Sequence, residues 1–81
     1  ETVRVGRDPH EDIMLDDGTV SRSHAVFTRV DGRYHITASG SLNGTYVNRE
    51  RVDDTVLRNG DEIMIGKYRF VFFTKSAVIA Q

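Results

Sequence analysis

The chain has 81 residues, 38% of them hydrophobic and 28% charged, which supports one soluble globular domain (residues 1–81) and excludes a disordered tail. Eleven Lys and Arg against twelve Asp and Glu leave a formal net charge of −1, so no general affinity for nucleic acid or an anionic membrane is expected and any anion site must be local. The absence of Cys excludes disulfides and thiolate metal sites and fits a cytoplasmic location, and the longest apolar run, residues 70–73, falls far short of the roughly 20 residues of a membrane-spanning helix.

Short segments rich in β-branched and aromatic residues follow one another along the chain, predicting strands over 2–5, 12–15, 24–30, 33–38, 45–48, 56–57, 62–65 and 68–74. Asp17-Gly18, Asp31-Gly32, Asn43-Gly44 and Asn59-Gly60 punctuate them, with Gly expected to supply positive φ at each turn. Asp31-Gly32 is the clearest hairpin signal, and it puts Tyr34, Ile36 and Ala38 on one face of the returning strand. On the strand before it, Ala25 and Phe27 oppose Val26 and Val30, which suggests a bulge near Arg29. Residues 68–74 place Phe70 and Phe72 on one side and Val71 and Phe73 on the other, as in a strand covered on both faces. No helical periodicity appears, so the reading is an all-β sandwich or barrel with a core over about 2–74 and a tail over 75–81.

Three of the loops between these strands concentrate donors. Gly6-Arg7 ends the first strand, Ser21-Arg22-Ser23-His24 precedes the third, and Ser41-Leu42-Asn43-Gly44-Thr45 precedes the fifth. A guanidinium can give a phosphate two parallel charge-assisted bonds, a hydroxyl and successive backbone amides can close around the same anion, and an Asn amide can pair with the backbone of an extended peptide. Each segment has an ordinary reading too: a solvated Arg at a strand end, a structural buried His24, a plain turn at Asn43-Gly44. A Ser–His nucleophile pair is a poor fit, because no third orienting acid accompanies Ser21 or Ser23 and His24. His10, His24 and His35 lack metal-ligand spacing and Asp16-Asp17 opens no calcium loop, so neither cofactor nor metal is expected. Asn48 is expected to bond neighbouring backbone, and Arg49-Glu50-Arg51 to form a solvated turn, with the alternative that its two arginines assist an acidic ligand from the rim.

Taken together, Gly6-Arg7, Ser21-Arg22-x-His24, Ser41-x-Asn43-Gly44-Thr45 and Asn48 resemble the forkhead-associated (FHA) domain, a reader of phosphothreonine peptides. The likeness extends through Asn59-Gly60-Asp61-x-Ile63-x-Ile65-Gly66, and the sequence looks closest to small actinobacterial members that regulate central metabolism under serine/threonine kinase control. The resemblance implies an FHA/SMAD-like β-sandwich of two mostly antiparallel twisted sheets and no enzymatic activity; members usually carry two further strands ahead of the first one here, which this sequence is expected to lack, leaving one sheet short of neighbours. It also implies phosphate binding by Arg7, Ser21 and Arg22, peptide contacts from Leu42 and Asn43, and loop support from Gly6, His24, Gly44, Thr45 and Asn48. The expected partner is a phosphothreonine-containing protein, with a kinase or a metabolic enzyme among the candidates. Alternatives are a phosphorylation-independent regulator docking on an enzyme, and a self-assembling β domain that dimerises or exchanges strands through an uncovered sheet edge. Ala38 stands where the family commonly has Asp, and Arg29 falls on a face that is usually apolar.

Overall fold

The computed structural model describes residues 2–74, and the tail expected over 75–81 lies outside them. Among the described residues nine strands form two sheets: β1 (Thr2–Gly6), β2 (Ile13–Met14), β3 (Ala25–Val30), β4 (Arg33–Ala38), β5 (Thr45–Val47), β6 (Glu50–Arg51), β7 (Asp54–Leu57), β8 (Glu62–Ile65) and β9 (Tyr68–Val71). The first sheet runs β2-β1-β3-β4-β7 and the second β6-β5-β8-β9. All neighbours are antiparallel except β1 and β2, which run parallel with Val5 opposite Ile13.

Alternation along each strand decides which side chains enter the core. Val5, Ala25, Ile36 and Leu57 line the inner face of one sheet, and Val47, Ile63 and Ile65 that of the other, all buried. Val20 and Leu15, both loop residues, close the same core. Each fully buried aliphatic side chain contributes roughly 1.5–3 kcal/mol, so this small set carries most of the cohesion between sheets.

The hairpin over Asp31-Gly32 forms as the sequence predicts: both residues have positive φ, 53° and 76°, the type I′ geometry whose twist matches the flanking strands. Register from Ala25 opposite Ala38 to Val30 opposite Arg33 is uninterrupted, so no bulge occurs near Arg29. Arg29 is accommodated by its cross-strand partner instead, with its guanidinium 5.5 Å from the centre of the Tyr34 ring, while that ring packs on Phe72 at 5.3 Å.

Three other expectations are corrected. Residues 49–51 are no mere solvated turn: Asn48 and Arg49 both take positive φ (51° and 71°) and close a second tight hairpin, which pairs β6 with β5. A glycine-free type I′ turn leaves little sequence signal. Gly18 does not adopt positive φ, because the Asp17 carboxylate builds that turn by accepting the Thr19 N–H at 2.9 Å. Finally, β9 is covered on one face only. Val71 is 51% and Phe73 73% exposed, β9 pairs with β8 alone among the described strands, and an apolar slot of about 130 Å³ opens beside it between the sheets.

Candidate functional site

One end of the sandwich gathers the loops that follow β1, precede β3 and precede β5. The loop after β1 is bonded along the Ser21-Arg22 segment, with Arg7 N donating to Ser21 O at 3.0 Å and Asp8 N to Arg22 O at 3.2 Å. That approach is so close that a side chain at Gly6 would run into the Arg22 carbonyl. The Arg7 side chain adds a third link, since its Nε donates to Val20 O at 3.0 Å, and the exposed far end of the guanidinium is left facing solvent.

His24 is fully buried between the two other loops. Its Nδ1 accepts the Ser21 backbone N–H at 3.0 Å, so the proton resides on Nε2, which donates to Gly44 O at 2.8 Å. One neutral imidazole thereby ties the backbone of Ser21 to that of Gly44, twenty residues after His24 in the chain. Ser41 is buried and accepts the Gly44 N–H at 3.1 Å, which shapes the turn from within. Leu42 N donates to the Ser21 hydroxyl oxygen at 3.3 Å, leaving the Ser21 O–H to donate outward. Leu42 itself is 88% exposed, an apolar side chain held in solvent on an ordered loop.

Asn43 is exposed and half committed: its Nδ2 donates to Thr19 O at 2.9 Å, which fixes the amide and presents Oδ1 as an acceptor. The anchor at Thr19 is itself braced. Asp17 accepts both the backbone N–H and the hydroxyl of Thr19 and pairs with Lys67 Nζ at 3.1 Å, while Lys67 N donates to Thr19 Oγ1 at 3.0 Å. The Thr19 hydroxyl, its backbone N–H and Lys67 hold the Asp17 carboxyl down at about 2, and the same carboxylate raises the Lys67 ammonium above its ordinary value. The sequence marks Asp17 only as part of a turn and gives no role to Thr19 or Lys67. Their signal was faint, an Asp two residues before a Thr in a turn, with the Lys 48 residues further on.

Arg22 and Asn48 sit differently from what the motif alone implied. The Arg22 guanidinium lies 3.5 Å from Asp8 Oδ2, so part of its charge is already answered, although the side chain remains 73% exposed. Asp8 in turn is held below the ordinary carboxylate value, chiefly by the backbone N–H and ring of His10. Asn48 belongs to the opposite end of the molecule. There its Oδ1 accepts the Glu62 N–H and its Nδ2 donates to Asp61, each at 3.0 Å, bracing the β5–β6 turn against β8 rather than any of the three loops. A concavity of about 840 Å³ is also at that end, beside Arg33, Asn48, Asn59 and Phe72, away from the converging donors. Thr45 is fully buried, its hydroxyl without a hydrogen-bond partner among the described residues, and its carbonyl accepts the Val52 N–H at 2.9 Å.

Arg7, Ser21 and Asn43 thus project from three loops onto one rim, the first loop bonded to the second through its backbone and the second to the third through buried His24, and residues 3–66 match the FHA domain family model. The chain belongs to the FHA domain family. It is 59% identical over 73 residues to the glycogen accumulation regulator GarA of Mycolicibacterium smegmatis, a match covering 90% of this chain and 46% of that protein. With the oxoglutarate dehydrogenase inhibitor of Corynebacterium jeikeium it shares 58% identity over 76 residues, 94% of this chain and 53% of the relative. The chain therefore spans about half the length of the curated relatives it matches. Among solved structures, Mycobacterium tuberculosis EmbR in complex with a low-affinity phosphopeptide superposes with a TM-score of 0.87 at 38% identity, covering 89% of this chain and 19% of EmbR. Among the described residues this FHA domain is all-β, and the names of its relatives are those of a regulator and an inhibitor. Among the described residues no helix is long and apolar enough to cross a membrane.

Proposed function

We propose that this FHA domain binds phosphothreonine-containing protein segments in serine/threonine kinase signalling, without catalysis of its own. The observation that carries the reading is the convergence of unfilled donors, the outer guanidinium of Arg7 and the O–H of Ser21, beside the fixed Asn43 amide on loops that His24 locks together. In this reading Arg7 and Ser21 take the phosphate, Arg22 adds charge from the rim, and Leu42 and Asn43 bracket an extended peptide. A phosphothreonine brings about −1.5 to −2 charges and three acceptor oxygens, which unmodified threonine lacks and a single carboxylate reproduces poorly. Two or three charge-assisted bonds of roughly 1.5–3 kcal/mol each, less the cost of association, are compatible with micromolar affinity. We place the domain in the cytoplasm, where kinases mark proteins.

Fluorescence polarisation against a phosphothreonine peptide library, with phosphoserine and unmodified controls, tests the reading. Saturable binding to phosphothreonine peptides alone is expected, and Arg7→Ala or Ser21→Ala should weaken it by about 2 kcal/mol or more. Equal affinity for unmodified peptides would refute it. A second reading, docking on a metabolic enzyme without any phosphate, is favoured by the likeness to an oxoglutarate dehydrogenase inhibitor and would use the same loop rim. Binding of the domain to an unphosphorylated enzyme separates the two. Self-association through β9, whose outer face exposes Val71, is a distinct proposal that light scattering across a dilution series tests.

A further inference from the structure

Arg51 is the charged residue that the functional reading leaves unused and that lies against its loops. It stands on β6 opposite Tyr46 of β5, so both side chains project from the same face of the ribbon, on the side away from the core. From there the guanidinium leans back along the strand to Gly44. A Cβ placed on Gly44 would come 2.9 Å from Arg51 Nε, 3.0 Å from its Cζ and 3.3 Å from Tyr46 Cε1. The bare face of Gly44, at φ 85°, is therefore the floor on which the guanidinium rests, one residue from Asn43.

The charge there is unanswered. Among the described residues no carboxylate oxygen lies within 4.0 Å of Arg51, whereas Arg22, Arg49, Lys67 and Arg69 each have an acidic partner. Glu50 precedes it on the strand and points to the other face. Arg51 is exposed, and its fork of donors is preorganised by contact with a rigid turn rather than by an ion pair.

We propose that Arg51 is a specificity residue that selects an acidic side chain, Asp or Glu, at one position of the bound phosphopeptide. The inference rests on the phosphopeptide reading above and deepens it: a peptide backbone paired with Asn43 runs past Gly44, and a carboxylate carried at that point meets the guanidinium. Because the contact is solvent-exposed, its effect is modest and sensitive to salt.

The test is a walk of single Glu residues through every position flanking phosphothreonine in an otherwise uncharged peptide, read by fluorescence polarisation. The wild-type domain should gain about fourfold in affinity at one position, and the gain should shrink at high ionic strength. R51Q should lose the preference, R51K should keep most of it, and R51E should transfer it to Lys at the same position. Replacing that Glu by Gln in the peptide reads the contact on the unaltered domain, so the result does not depend on whether a variant folds. A wild-type domain indifferent to Glu at all positions, or a preference that survives in R51Q, overturns the assignment of Arg51 while leaving phosphothreonine recognition standing. Failure of every phosphothreonine peptide to bind would overturn both.

Discussion

The two ends of the sandwich are built from the same residue types and do opposite things with them. At the end made by Asp31-Gly32, Asn48-Arg49 and Asn59-Gly60, the turn-forming polar groups satisfy one another, although Arg33 and Arg58 beside them have no acidic partner among the described residues: the Asn48 amide is used at both atoms, and Glu62 lies between Arg49 and Arg69 at 3.8 and 3.2 Å. Asp61 likewise accepts both the Arg58 N–H and the Asn48 amide. At the other end the backbone is held as firmly, by His24, Ser41 and the Asp17–Thr19–Lys67 group, yet the outermost donors of Arg7, Ser21 and Arg51 stay open. A rim becomes a binding site when its scaffold is fully bonded and its outward groups are not, since rigid unfilled donors lose little freedom on meeting a ligand.

The comparison breaks first at His24. His24→Ala removes a buried side chain and strands the Ser21 N–H and the Gly44 carbonyl, so chemical denaturation should show a loss of about 3 kcal/mol, accompanied by weaker phosphopeptide binding. A variant of unchanged stability would mean that the two loops are held by something else. Asn48→Ala should lower stability by about 1–2 kcal/mol, through two lost hydrogen bonds and the poorer tolerance of Ala for positive φ, with phosphopeptide affinity unaffected. Weakened binding in that variant would show the two ends to be coupled.

The smallest effect is expected from acid. Asp17 falls from 3.8 to about 2 on folding, so its contribution is present above about pH 4 and drains away as pH drops towards 2. Its sign follows from the depressed value: the unfolded chain takes up the proton first. Stability measured through that window should slope downward, and the slope should flatten in Asp17→Asn. Because the carboxylate is near the surface, salt should reduce the difference further.

Much of this is legible in the sequence alone. Alternating apolar residues and the Asp31-Gly32 dipeptide determine strands and a hairpin because backbone sterics and side-chain direction act over a few neighbouring residues. The donors of the rim were equally visible as residue types at Arg7, Ser21 and Asn43. Tertiary structure decided the rest, since it alone sets which distant loops meet. It set Asn48 to brace the β5–β6 turn in place of the loop it was expected to support, drew Arg22 toward Asp8, joined Lys67 to Thr19 across 48 residues, and laid Arg51 on Gly44. The β5–β6 hairpin escaped notice because Asn48 and Arg49 take positive φ without a glycine, and the open face of β9 because alternation reports two apolar sides but never whether a neighbour covers them. Local sterics are written in adjacent residues, whereas contact between loops depends on the whole chain having folded.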